Sequence, residues 1–342
     1  MTNQTHMRRE ILEIPHAVEN LLTQGGPAIS ATADALRAAD PLFLISVARG
    51  SSDHAATYFK YASELVAGLA VASVGPSVAS VYKRKLSLPR CACLSISQSG
   101  KSPDIVRMAE MANKQGALSI ALTNHADSDL AKVSTHTLEL HAGKELSVAA
   151  TKTFVTSALS AVWLLAKWQK DEELLQAIHA LPKVLARAAD MDWSAAANEV
   201  VSKQSLFCLG RGPSFAISNE AALKFKETCQ LHAESYSSAE VLHGPVSIVD
   251  RGFPVIALTA KDEAEQSLVD VVDQVADKGA SVFVTSSKAT KAACLPVARS
   301  DHPLLDPISL IVSFYAMVEQ VSRARGINPD KPRHLKKVTE TV

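Results

Sequence analysis

The stretch Ser97-Gln98-Ser99-Gly100-Lys101-Ser102 places three hydroxyls and an amide within six residues, directly before Pro103, where a helical pattern begins. Hydroxyl donors beside the unsatisfied N–H groups of a helix start form a ready anion site. Ser51 and Ser52 make a second loop of the same kind. The simpler use is structural, with Ser102 capping the helix and the other serines filling a turn. Two such loops, each following a strand and able to converge on the same point, favour a phosphate group held by both. Gly100-Lys101-Ser102 resembles the end of a nucleotide P-loop, but the upstream glycine that motif requires falls at Ser95. Gly210-Arg211-Gly212 is followed by Phe215, so the dinucleotide Gly-x-Gly-x-x-Gly pattern is also missing. Neither ATP nor NAD is indicated, and no cofactor is expected.

A second constellation lies on a helical stretch over 214–231. Glu220, Lys224 and Glu227 fall on one narrow face at 3.6 residues per turn. One reading is a solvated Glu-Lys pair contributing a few tenths of a kcal/mol. The other is a buried acid-base group, because Leu223 and Leu231 flank the stripe while Ala221, Ala222, Phe225 and Cys229 cover the opposite side. The charges are then expected to face a cavity, where burial tunes carboxylates for proton transfer. Downstream, Leu242-His243-Gly244-Pro245 presents His243 on a turn, a further proton-transfer candidate. The other histidines show no metal-ligand pattern. Cys91 and Cys93 have no second pair at metal-site spacing, so no metal is expected. Residues 328–342, with Pro329, Pro332 and the basic Lys331, Arg333, His334, Lys336 and Lys337, read by composition as a flexible tail.

These residues need strands and helices to position them. Strand patterns at 41–47, 69–74, 91–97, 117–123 and 137–140 alternate with helical patterns at 53–68, 103–115 and 151–169. Pro103 stands at the first turn of one helix and Gly116 just beyond its end. Such alternation predicts an α/β fold with a mostly parallel sheet covered by helices on both faces, a flavodoxin-like three-layer sandwich. The second half repeats the first. Val47-Ala-Arg-Gly-Ser-Ser52 matches Leu209-Gly-Arg-Gly-Pro-Ser214, an offset of 162 residues. The same offset carries Leu94-Ser-Ile-Ser97 onto Ile256-Ala-Leu-Thr259, and Ser119-Ile-Ala-Leu-Thr123 onto Ser281-Val-Phe-Val-Thr285. Three strands in one ungapped register imply a duplicated domain. The expected organisation is a helical segment at 1–34, a first domain at 35–172, a helical connector at 173–198 broken by Pro182, a second domain at 199–330 and a tail at 331–342. The repeat fails where chemistry is suspected: the serine loop after the first-half strand becomes Thr259-Ala-Lys-Asp262 in the second. A fold requires the strand, not the serines, so the serines point to function.

Composition excludes several classes. Lys+Arg and Asp+Glu are both 35, giving zero net charge and no broad electrostatic footprint for nucleic acid. The N-terminus has no apolar run after its basic residues, so a secretory signal is not expected. The uncharged stretch 65–81 is broken by Gly68, Gly75 and Pro76 and is short for a membrane span of roughly 20 residues. Five cysteines, mostly in apolar runs, suit reduced thiols in a cytoplasmic protein.

Taken together and in order, Ile96-Ser-Gln-Ser-Gly100, Val148-Ala-Ala-Thr-Lys152, Gly210-Arg-Gly212, Glu220-Ala-Ala-Leu-Lys-Phe-Lys-Glu227, His232-Ala-Glu-Ser-Tyr236, Leu242-His-Gly-Pro245 and Pro332-Arg-His-Leu-Lys-Lys337 resemble the sugar isomerase (SIS) family. Within it, they are similar to the isomerase half of glucosamine-6-phosphate synthases. The resemblance implies two tandem SIS domains and a phosphosugar held in the first by residues matching Ser51, Ser52, Ser97, Gln98, Ser99, Ser102 and Ala149. It implies that Glu227 moves a proton between C1 and C2, supported by Glu220 and Lys224. It further implies that His243 opens the sugar ring, arriving from the partner subunit of a homodimer. Lys337 then forms a Schiff base with the ketose, making the tail a lid.

Two departures are present. Ala150 stands where the synthases have serine. The glutamine-hydrolysing domain with its N-terminal cysteine is absent from these residues, since position 2 is threonine and no cysteine precedes Cys91. The expected activity is therefore that of the stand-alone SIS-type deaminases: glucosamine 6-phosphate converted to fructose 6-phosphate and ammonia. Galactosamine 6-phosphate or a phosphorylated fructosamine are alternative substrates, and a non-catalytic sugar-phosphate sensor is the alternative role. A sensor of the transcription-regulator type needs a helix-turn-helix, and none is evident before Pro41.

Overall fold

The computed structural model of the chain describes residues 4–337. The chain divides into two compact units. One comprises His16–Glu145, Lys152–His179 and Lys336–Val342; the other Met1–Pro15, Leu146–Thr151 and Ala180–Leu335.

The first unit is built on five strands: β1 (Phe43–Val47), β2 (Val71–Ser73), β3 (Cys91–Ile96), β4 (Leu118–Thr123) and β5 (His136–Glu139). They pair in parallel in the order β2-β1-β3-β4-β5, with Val47 beside Ser95 and Thr123 beside Glu139. β3 is buried at every position, as a central parallel strand covered on both faces must be. Ile45, Val47 and Cys93 of the sheet pack on Ile105, Met108 and Ala112 of the helix Pro103–Lys114. The helix Lys152–Gln169 is buried over nearly its whole length, Trp163 included. Every helix that follows a strand starts at the same sheet edge, the C-terminal ends of the strands, which brings the loops at 48–50 and 97–102 together.

The second unit holds β6 (Ser205–Gly210), β7 (His232–Ser237), β8 (Pro254–Ala257), β9 (Ser281–Val284) and β10 (Ala293–Cys294), all parallel in the order β10-β9-β8-β6-β7. This is the first sheet's order written in reverse. The offset of 162 carries the helix starts Ser51 and Pro103 onto Pro213 and Glu265, where the helices Pro213–Cys229 and Glu265–Asp277 begin. Even the turn is conserved: Gly50 (φ 56, ψ −133) and Gly212 (φ 56, ψ −137) precede equivalent helices in the same left-handed geometry. Only glycine adopts that geometry without strain.

Two expectations are corrected. Pro182 does not break the connector; it lies inside the continuous helix Glu172–Ala189. That helix is amphipathic, with Leu174, Ile178, Leu181 and Leu185 buried, and packing of this face outweighs the lost hydrogen bond. The tail is not loose where it is described. Both carboxylate oxygens of Asp330 accept backbone N–H groups at the start of the helix His6–Leu12, from His6 at 2.8 Å and Met7 at 2.7 Å. A carboxylate is favoured at that positive end of a helix. Of the expected tail, residues 338–342 lie outside the described residues. Among the described residues one helix, Pro303–Ala324, is long and apolar enough to cross a membrane, but 94% of its apolar window is buried inside the protein.

Candidate functional site

The serine loops line one cavity. A space of about 340 Å³ in the first unit is walled by Arg49, Gly50, Ser52, Ser97, Gln98, Ser99, Ser102 and Lys337, among others. A larger cavity of about 740 Å³ adjoins it and shares Gln98, Ser99 and Lys337. The loop is held from within. Ser97 Oγ accepts the Gly100 N–H at 3.2 Å and Ser99 Oγ accepts the Lys101 N–H at 3.3 Å. The Gln98 carbonyl accepts the Asn124 N–H at 3.0 Å and the Thr123 hydroxyl at 3.3 Å. Ser102 occupies the N-cap position, yet its hydroxyl makes no capping hydrogen bond. The simple structural use of that serine is therefore not taken. Ser51 opens the helix Ser51–Val66 and Ala149 is 1% exposed; among the described residues neither is on the wall of the 340 Å³ cavity.

Lys337 reaches the same cavity from the far end of the chain. Its ammonium donates to Glu145 Oε2 at 2.8 Å, and the Glu145 side chain is fully buried. Glu145 in turn accepts the Thr153 N–H at 3.1 Å and the Thr153 hydroxyl at 2.7 Å. A carboxylate so anchored holds the amine in one place.

In the second unit the charged stripe lies on the helix Pro213–Cys229. Glu220 and Lys224 have no exposed surface, and Glu227 retains 19% of its side chain. Lys224 Nζ lies 3.1 Å from Glu220 Oε1 and 2.6 Å from Glu227 Oε2, so one cation serves two carboxylates. Tyr315, from the apolar helix Asp306–Ala324, donates its hydroxyl to Glu220 Oε1 at 3.0 Å. The expectation that the whole stripe faces a cavity is corrected: Tyr315 and its helix close over Glu220 and Lys224, and only Glu227 reaches the surface. Burial pulls the Lys224 amine down, but Glu220 and Glu227 outweigh it and hold the amine charged above its ordinary range. The geometry leaves Glu227 with one oxygen on a fixed ammonium and part of its side chain exposed.

His243 is exposed on the turn after the short helix Ser238–Val241, its N–H donating to the Glu240 carbonyl at 2.9 Å. Gly244, at φ 140, lets the chain turn there. Leu242 and Ile248 beside it are 37% and 54% exposed. Among the described residues no group of three or more His, Cys, Asp or Glu side chains is placed to hold a metal.

Sequence reading missed Glu145, Tyr315, Arg49 and Asp104. Tyr315 sits in an apolar helix and Glu145 beside a motif, and neither spacing reveals a long-range partner. Asp104 was legible: at the 162 offset it becomes Gln266, so it diverges between the halves together with the serines.

The SIS domain family matches residues 35–167 and 199–322. A glutamine–fructose-6-phosphate aminotransferase (isomerizing) of Sulfurisphaera tokodaii is 32% identical over 346 residues, covering 98% of this chain and 56% of the relative. The chain thus spans about half the length of the curated relatives it matches. A crystal structure of a candidate phosphosugar isomerase from Silicibacter pomeroyi DSS-3 is 59% identical with a TM-score of 0.93, covering 96% of this chain and all of that one. The C-terminal domain of glucosamine-fructose-6-phosphate aminotransferase from Francisella tularensis shares the fold, with a TM-score of 0.86 at 24% identity over 97% of this chain and 99% of that one. On two parallel five-stranded sheets, a repeated register and a match covering most of its length, the chain belongs to the SIS domain family, with two SIS domains in tandem.

Proposed function

We propose that the chain is an aldose–ketose isomerase that deaminates glucosamine 6-phosphate to fructose 6-phosphate and ammonia. The observation that carries this reading is the presence of Lys337, an amine able to condense with a ketose carbonyl, on the wall of the same cavity as Ser97, Ser99 and Ser102. The relatives named for glutamine–fructose-6-phosphate aminotransferase and for phosphosugar isomerase support the substrate class.

In the proposed reaction the serine loops hold the phosphate and His243 transfers the proton that opens the pyranose. Glu227 removes the C2 proton of the open-chain aldehyde and returns it to C1. As the C1 oxygen takes up a proton and the C2 ammonium gives one up, the 2-ammonio aldose becomes a 1-hydroxy-2-iminium, and water hydrolyses this to the C2 ketone, ammonia and a proton. Lys224 keeps Glu227 oriented and partly neutralised, and Glu220 with Tyr315 keeps Lys224 in place. Acid-base groups suffice for these steps, and the Lys337 amine condenses reversibly with the carbonyl of the ketose product, with loss of water. Exposure of His243 beside Leu242 and Ile248 suits a homodimer in which His243 serves the partner's site.

Purified protein given glucosamine 6-phosphate should release ammonia and fructose 6-phosphate in equal amounts. Galactosamine 6-phosphate and phosphorylated fructosamines, run in parallel, report the configuration and amine accepted. Borohydride added with fructose 6-phosphate should trap a reduced adduct on Lys337, detectable by mass. No ammonia from any of these substrates, with no adduct on Lys337, would refute the proposal.

A further inference from the structure

We propose that Arg49 is the cation of the phosphate site, its guanidinium shared between the buried Asp104 and the phosphate of the substrate. This rests on the phosphosugar reading above.

A sugar phosphate ester carries close to two negative charges at neutral pH. The serines around the cavity offer neutral donors only. Its two charged side chains are Arg49 and Lys337, and the Lys337 ammonium already rests on Glu145. The helix start at Pro103, which would welcome an anion, already carries one. Asp104 is in its first turn, 1% exposed, with Oδ1 accepting the Ile105 N–H at 2.9 Å. A dianion bound at this loop meets a buried like charge unless a cation stands between them.

Arg49 has that geometry. Its Nε and Nη2 both donate to Asp104 Oδ2, at 3.1 and 2.9 Å. This fixes the plane of the guanidinium, while 52% of the side chain stays exposed on the cavity wall. Nη1 has no hydrogen-bond partner among the described residues. A guanidinium has five donors in a rigid fork, so it can hold a carboxylate on one edge and a phosphate on another. The duplication separates this role from folding. The second half keeps Arg211 at the position of Arg49, but has Gln266 for Asp104 and has lost the serine loop. The anchoring carboxylate occurs only in the half that has the cradle.

The alternative is that Arg49 and Asp104 merely pin two loops. Titration calorimetry with inorganic phosphate and with fructose 6-phosphate, on the wild type and on R49Q, R49K and D104N, separates the two. R49Q should weaken both ligands by about ten- to a hundredfold, the scale of one lost hydrogen bond to a charged group. R49K should recover part of the loss through its charge. D104N leaves the cation but frees its plane, so it should weaken both ligands less than R49Q does while lowering thermal stability as R49Q does. Equal weakening by R49Q and D104N, or wild-type binding that survives R49Q, overturns this inference alone. A wild type that binds neither ligand removes the phosphosugar reading as well.

Discussion

At the scale of residues, the unusual feature is one buried ammonium between two carboxylates on the helix Pro213–Cys229, beneath the helix Asp306–Ala324. Burying an ion pair is costly, and removing one partner leaves the others uncompensated. Lys224→Met should therefore destabilise the protein by about 3–5 kcal/mol, read from urea unfolding. The sign of the pH dependence follows from the raised folded-state pKa. The contribution of Lys224 is fully present below the ordinary lysine value of about 10.4 and is lost only as pH rises through the higher folded value. The stability gap between wild type and Lys224→Met should thus not narrow as pH rises from 6 to 9, and it widens where the uncompensated Glu220 carboxyl ionises in the variant. A gap that narrows over that range would show that the amine titrates there. Glu227 differs because part of its side chain is exposed. Glu227→Gln keeps the shape and should lower kcat by about a hundredfold or more with little change in KM, as loss of proton transfer does. Ser99→Ala on the cradle should act mainly on KM.

At the scale of elements, equivalent strand–turn–helix units carry different chemistry. In the first half the turn after β3 is shaped by Gly100, at φ 62. A Cβ there would lie 2.1 Å from Ser128 Oγ and 2.4 Å from Ser128 Cβ. Gly100→Ala should displace the cradle, raise KM at least tenfold and cost about 2 kcal/mol, combining the left-handed backbone penalty with the clash. Unchanged kinetics would mean that the loop is not the phosphate site. In the second half the equivalent helix start also carries a carboxylate of the chain, but with different partners and no serine loop beside it. Glu265, in the first turn of its helix, accepts Ser286 Oγ at 2.8 Å and pairs with Lys288 Nζ at 2.6 Å. Arg299 donates to the Thr259 carbonyl at 2.9 Å and to Asp306 Oδ2 at 3.0 Å, and also to the Thr285 carbonyl. Burial alone would raise the Glu265 carboxyl, but hydrogen bonds from Lys288 and Ser286 bring it below its usual range. The anion preference of the helix start is satisfied there by the protein's own carboxylate.

At the scale of the whole molecule, the proposed reaction joins residues far apart in the chain, and His243 is proposed to come from a second copy. Mixing His243→Ala with Glu227→Gln tests this: each variant alone should be inactive, while subunit exchange should restore about a quarter of wild-type activity in a twofold dimer. Absence of recovery after exchange, shown by mass, would place His243 in its own subunit's site. The two-sheet fold was legible from the residues alone, because hydrophobic periodicity and a repeat at 162 are local patterns that survive in a linear string. So were the serine loop and the Glu220-Lys224-Glu227 face, since a helix fixes which residues share a side. The partners of those groups were decided only by tertiary structure. Tyr315 on Glu220, Glu145 under Lys337 and Asp330 at the N-terminal helix join positions 95, 192 and more than 300 residues apart. No periodicity links such positions. Burial makes each buried polar group find a partner, but which one depends on how the elements pack.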